Sequence, residues 1–228
     1  MKQEKFIFLI LLLSNGLYLA AQTWYNPNID QEVERLLKQM TVEEKLNYIG
    51  GTDWMYTKDI DRLGIHRIKM SDGPLGVVTN TTSTALPATV MLAATWNDSL
   101  AYKYGKAIGE DCRARNVNLI LGPAVNIYRA PMCGRNFEYM GEDPYLTSRI
   151  CVEYIKGVQG QGVMATIKHF CANNSEYDRN NISNDIDERT LNEIYFPAFK
   201  AAVQPAKRHL YDRESLVIER SIKKPMGI

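Results

Sequence analysis

The chain has 228 residues, of which 45% are hydrophobic and 23% are charged, and its formal net charge at pH 7 is +1. This composition is ordinary for a globular protein. The near-zero charge gives no electrostatic reason to expect nucleic acid or an anionic membrane as a partner, and no apolar run is long enough to span a bilayer.

The N-terminus has the pattern of a secretory signal peptide. Lys2 and Lys5 precede the apolar run at residues 6–13, and two alanines follow at the end of the segment, as in a signal peptide with its cleavage site. A buried strand is the alternative, but it does not explain the lysines. We therefore predict that residues 1–22 form a signal peptide. The mature protein would then be exported to the periplasm or the extracellular space, with no membrane association after signal removal.

Two helices are predicted next. Asp30 is a candidate N-cap for the first. Thr41 and Glu44 have the spacing of a capping box that begins the second, and Gly50 and Gly51 are placed to end it.

Strands and helices then alternate, which is typical of a parallel α/β fold. The predicted strands are residues 66–70, 118–121 and 163–167. The helices that follow them are predicted to begin at Asn97 or Ser99, near residue 144, and after the cap Asp187.

Polar clusters follow the carboxyl ends of these strands, at Asp72, in the 122–143 loop and at residues 168–179. In a β/α barrel this is the face on which active sites are built. Removal of 22 residues from 228 leaves 206, fewer than the roughly 250 of a complete barrel. The sequence therefore predicts an α/β fold that is a partial (β/α)8 TIM-like barrel, incomplete at the C-terminus.

Three long motifs occur in order at the predicted strand ends. They are MSDGPLGV at 70–77, LGPAVNIYRAPMCGRNFEYMGEDPYL at 121–146, and IKHFCANNSEYDRNNISNDIDERTLNEIYFPAFKAAV at 167–203. Together they resemble glycoside hydrolase family 3, on its β-glucosidase side, over roughly residues 24–204. The resemblance implies a barrel domain, assigned here to residues 23–204, followed by a smaller α/β domain. It also implies exo-acting, retaining hydrolysis of β-glycosides.

The resemblance further implies a substrate-binding subsite for the terminal sugar. Asp72 is expected to accept hydrogen bonds from sugar hydroxyls, and Arg135 to donate them. Lys168, His169 and Arg179 are expected to complete the subsite, although Arg179 could instead lie in a solvated loop. Hydroxyls both donate and accept, so a carboxylate beside several cationic donors suits a sugar.

Three acidic residues are interpreted as structural. Glu138 and Glu142 are expected to order the loop around Arg135, and Asp143 to cap the following helix. For Asp72 the alternative is a turn residue before Gly-Pro.

The family's two catalytic carboxylates have no match in the chain. The nucleophile lies in an SDW-type motif, and no tryptophan follows Trp96. The acid/base glutamate usually comes from the second domain. From about Pro205 the resemblance is lost, as though a frameshift had replaced the continuation, so residues 205–228 are predicted to be a divergent, disordered tail. No catalytic residue, metal site or cofactor is predicted.

The expected substrate is a β-glucoside or oligosaccharide. Within the family a β-xylosidase is the alternative. A non-catalytic fragment, at most a weak sugar binder, is the alternative from another class. The four cysteines are widely spaced, and no zinc motif is present. Buried free thiols are preferred over disulfides.

Overall fold

A computed structural model describes residues 28–204 and 216–220. Its helices are Asn28–Gln39 (α1), Val42–Gly50 (α2), Thr89–Ala93 (α3), Asp98–Ala114 (α4), Pro144–Gln159 (α5), Glu188–Thr190 (α6) and Phe196–Val203 (α7). A π-helical segment, Leu191–Tyr195, joins α6 to α7, and 3-10 turns lie at Asp61–Leu63 and Asn136–Glu138. None of the helices in these residues is both long and apolar enough to cross a membrane. The predicted signal peptide lies outside the described residues.

Four parallel strands form one sheet in the order β1-β2-β3-β4. Their bounds are Met70–Asp72 (β1), Leu119–Leu121 (β2), Met164–Phe170 (β3) and Leu216–Arg220 (β4). Helix α4 lies between β1 and β2 in the chain, and α5 between β2 and β3. The parallel α/β alternation predicted from the sequence is therefore confirmed, whereas the partial (β/α)8 barrel, incomplete at the C-terminus, stays a prediction.

β4 lies inside the segment predicted to be a disordered tail. Residues 216–220 pair in parallel with β3, so this part of the tail has regular structure. The other residues of the tail lie outside the described part of the chain.

Local signals placed most helix starts correctly. The hydroxyl of Thr41 accepts from the Glu44 amide at 3.1 Å, and the Glu44 carboxylate accepts from the Thr41 amide at 2.8 Å, which completes the predicted capping box. The Asn97 side chain caps α4 by accepting from the Leu100 amide at 3.0 Å. The Asp187 cap is also present, at the start of α6.

Two strand boundaries differ from the prediction. β1 begins at Met70 rather than at residue 66, and residues 68–70 are hydrogen-bonded or bridged to residues 55–57. β3 continues to Phe170, so Lys168 and His169 lie within the strand instead of after it. Polar side chains inside a buried strand are tolerated only where partners satisfy them.

The packing of α4 against α5 depends on glycine. A Cβ on Gly105 would overlap the carbonyl oxygen of Tyr154, and one on Gly157 would overlap that of Tyr102. The two helix backbones therefore approach too closely for any side chain at these positions. This contact turns Gly105 and Ile108 inward and leaves Leu100 41% exposed.

We expect Gly157→Ala to lower the free energy of unfolding by about 1–3 kcal/mol, because overpacking forces backbones apart. Gly50→Ala is the control, since nothing lies within 4 Å of a Cβ there. Urea denaturation of the two variants measures the difference, and equal stabilities would contradict the close approach of the helices.

Cys112, Cys133 and Cys151 are buried and carry free thiols. Burial raises the pKa of the Cys112 thiol and that of the Cys151 thiol to about 12. Thiolates are the reactive form of cysteine, so neither side chain is set up for chemistry.

We expect Cys112 and Cys151 to resist iodoacetamide at about pH 8 in the folded protein, because almost no thiolate is present and the sulfur atoms are covered. Peptide mass spectrometry should find both alkylated only after unfolding in urea. Modification of Cys151 as fast in the native as in the unfolded protein would show that α5 is not packed as described.

Candidate active site

Lys168 is the centre of a cluster at the carboxyl ends of the strands. Its side chain is only 2% exposed, and its Nζ donates a hydrogen bond of 2.5 Å to Oδ1 of Asp72. The buried carboxylate of Glu138 lies 4.0 Å from the same Nζ. β1, β3 and the loop after β2 therefore each bring one charged group to this point.

Asp72 presents a carboxylate at the end of β1. Its side chain is 47% exposed, and its Oδ1 also accepts from the Gly73 amide at 2.9 Å. Gly73 has φ +133°, and a Cβ there would overlap the carbonyl oxygen of Gly76, so only glycine fits this turn. The residues that line the open cleft beside Asp72 are 73–79, 83–85, 137 and 138.

Arg135 is held by Glu138 in the loop after β2. Its Nε donates to Oε1 of Glu138, whose side chain is 5% exposed. Burial opposes the charge on Arg135, but the hydrogen bond and the charge of Glu138 outweigh it, so the pKa of Arg135 lies above its usual value. The guanidinium thus stays charged beside the cluster.

His169 is buried next to Lys168 and contacts Tyr139. Its Nδ1 lies 3.3 Å from the Tyr139 hydroxyl, and the two rings meet edge to face. Asn173 donates to the same hydroxyl at 3.0 Å and to Glu176 at 2.6 Å. Arg179 donates to the other oxygen of Glu176 at 2.8 Å.

The structure brings three of the predicted binding residues together: Asp72 and Lys168 are paired directly, and Arg135 joins them through Glu138. His169 follows Lys168 in the strand. Arg179 is not in the cluster but is linked to His169 through Glu176, Asn173 and Tyr139. Its side chain is 52% exposed, which fits the solvated-loop alternative in part.

The three predicted structural acids differ. Glu138 orders the loop by accepting from Arg135. Asp143 is the N-cap of α5 and accepts from the Leu146 amide at 2.5 Å. Glu142 does not hold Arg135: its side chain is exposed and has no hydrogen bond or ion pair with the described residues, because Glu138 occupies that role.

Three further residues, Tyr139, Asn173 and Glu176, were not singled out from the sequence. Each lies inside a quoted motif, but a tyrosine or asparagine in a motif gives no signal of burial. Only the folded chain shows that Tyr139 is 0% and Asn173 2% exposed.

We expect Glu138→Gln to lower the free energy of unfolding by about 2–3 kcal/mol, because it removes the buried charge that lies between Arg135 and Lys168. Glu142→Gln is the matched control four residues away and should change it by less than about 0.5 kcal/mol. Chemical denaturation compares them, and a loss at Glu142 equal to that at Glu138 would refute the assignment.

Comparison with known proteins identifies the family. Residues 34–210 match the glycosyl hydrolase family 3 N terminal domain. The chain is 50% identical over 194 residues to beta-glucosidase BoGH3A of Bacteroides ovatus, covering 78% of this chain and 26% of that protein. It is 46% identical over 188 residues to thermostable beta-glucosidase B of Acetivibrio thermocellus, covering 77% and 25%.

A solved structure has the same fold. Beta-glucosidase 3B of Thermotoga neapolitana in complex with glucose superposes with a TM-score of 0.77 at 36% identity, covering 85% of this chain and 29% of that one. The chain thus spans about a quarter of the length of the curated relatives it matches. The match over most of the chain, together with the shared fold, shows that the chain belongs to glycosyl hydrolase family 3.

Proposed function

We propose that this chain supplies the glycone-binding part of an exported β-glucosidase, which removes terminal β-D-glucosyl residues from β-glucosides or oligosaccharides. The observation that carries the proposal is the ion pair of Lys168 and Asp72, whose carboxylate is half exposed at the carboxyl end of a parallel sheet. The names of the relatives, two β-glucosidases and one β-glucosidase bound to glucose, support the sugar class. The N-terminal pattern supports export.

The carboxylate of Asp72 is oriented to accept a hydrogen bond from a sugar hydroxyl. Both hydrogen bonds to its carboxylate within the described residues end on Oδ1, so Oδ2 is left for a ligand. Lys168 holds the carboxylate in one orientation, and each hydrogen bond to a charged group contributes about 1.5–3 kcal/mol. Such bonds fix the sugar ring and with it the position of the anomeric carbon.

The proposed chemistry is retaining hydrolysis. It needs a nucleophilic carboxylate and an acid/base about 5–5.5 Å apart, and the 228 residues contain no match to the family's nucleophile motif. We therefore assign Asp72, Arg135, Lys168 and His169 to binding and not to bond cleavage. The proposal places the cluster on the catalytic face of a (β/α)8-type barrel of which this chain contributes a part.

The missing nucleophile match favours a second candidate, sugar binding without catalysis by this chain. The two candidates share the subsite and differ in turnover. They are separated by measuring hydrolysis and binding on the same sample.

We expect the purified 228-residue chain to show no hydrolysis of an aryl β-glucoside above background. Glucose should bind, and calorimetry should find the affinity for glucose reduced at least tenfold in Asp72→Asn. This reduction corresponds to the lower end of the free-energy range for one hydrogen bond to a charged group.

Asp185→Asn is the control, because Asp185 is exposed and does not line the cleft. Circular dichroism checks that each variant is folded. Equal glucose affinity in folded Asp72→Asn and the parent chain would refute the subsite. Turnover that disappears in that variant would instead show that the chain contains its own catalytic groups.

A further inference from the structure

Five side chains, one from β3 and four from the loops after β2 and β3, form a continuous hydrogen-bond chain. It runs from the surface inward through Arg179, Glu176, Asn173 and Tyr139 to His169. The first and last members are residues that the sequence predicted for the sugar site. The three between them connect a half-exposed guanidinium to a buried imidazole.

The direction of each hydrogen bond follows from the chemistry of the groups. A carboxylate only accepts, so Asn173 must turn its amide nitrogen, not its oxygen, toward Glu176. That nitrogen has two hydrogens, and the second points to the Tyr139 hydroxyl, 3.0 Å away. The Tyr139 oxygen is therefore an acceptor from Asn173.

The single proton of the Tyr139 hydroxyl must then be donated to a different group. Tyr139 is 0% exposed, and among the described residues the acceptor within reach of its hydroxyl is Nδ1 of His169 at 3.3 Å. A buried hydroxyl that donates to no acceptor is unfavourable. Nδ1 must then present its lone pair, which places the ring proton on Nε2.

We propose that Tyr139 is a positioning residue that holds His169 as the Nε2–H tautomer, with the orientation of the Tyr139 hydroxyl set in turn by Asn173 and Glu176. Burial raises the pKa of Tyr139 well above its usual value, so the phenol keeps the proton that it donates. The carboxylate of Glu176, on the loop after β3, thus sets the tautomer of His169 through three successive hydrogen bonds.

The consequence for the site rests on the proposed function. A neutral His169 with its proton on Nε2 is a hydrogen-bond donor at the nitrogen that Tyr139 does not contact. The proposed sugar-binding role of His169 would therefore use a donor, as does that of Lys168, beside the carboxylate acceptor of Asp72. A His169 with its proton on Nδ1 would offer an acceptor at Nε2 instead.

Nitrogen NMR of the histidine-labelled 228-residue chain tests the tautomer without any sugar. The chain has three histidines, and the variants His66→Gln and His209→Gln assign their signals. At about pH 8, above the ordinary histidine pKa, we expect a protonated Nε2 and an unprotonated Nδ1 for His169. In Tyr139→Phe the ratio of the two tautomers should fall about fivefold, as expected for the loss of one hydrogen bond.

Tyr128→Phe is the matched control. The Tyr128 hydroxyl donates to the backbone oxygen of Asn136 in the same loop, so its loss disturbs the loop without touching His169 and should leave the ratio unchanged. A protonated Nδ1 in the parent chain overturns the proposal, even if Tyr139→Phe fails to fold. An unchanged ratio in folded Tyr139→Phe also overturns it. Failure of the parent chain to bind glucose would refute the proposed function while leaving the tautomer assignment intact.

Discussion

The buried ammonium group of Lys168 is the constraint around which this face of the sheet is organised. A lysine that is 2% exposed in the interior strand of a sheet is strongly unfavourable unless charged partners surround it. Asp72 comes from β1 and Glu138 from the loop after β2. The requirement to compensate one charge therefore fixes three segments that are far apart in the sequence.

The same requirement explains why the loop after β2 is ordered despite its glycines and charges. The Glu138 carboxylate faces two cations, Arg135 and Lys168. The backbone oxygen of Glu138 accepts a hydrogen bond from the hydroxyl of Thr89 in α3. Tyr139 follows Glu138 directly, so the turn that buries the carboxylate also places the phenol against His169. Charge compensation and orientation of the histidine are two results of one backbone conformation.

The sequence predicted the parallel α/β order, the capping box at Thr41 and the cap at Asn97, because these depend on short-range spacing. It placed Lys168 and His169 after β3, because charged residues usually end a strand, whereas partners from two other segments allow β3 to continue through them. Likewise, nothing local distinguishes Glu138 from Glu142 as the partner of Arg135. The choice depends on which carboxylate the fold buries, and that is a long-range property.

The charges of the cluster also bear on the kind of ligand it suits. Lys168 and Arg135 carry two positive charges, and Asp72 and Glu138 carry two negative ones, so the cluster is balanced before any ligand arrives. A phosphate or carboxylate ligand would leave an excess negative charge beside buried groups, which is unfavourable at low dielectric. A neutral polyol adds hydrogen bonds without disturbing that balance. The paired charges therefore fit the uncharged sugar of the proposed function.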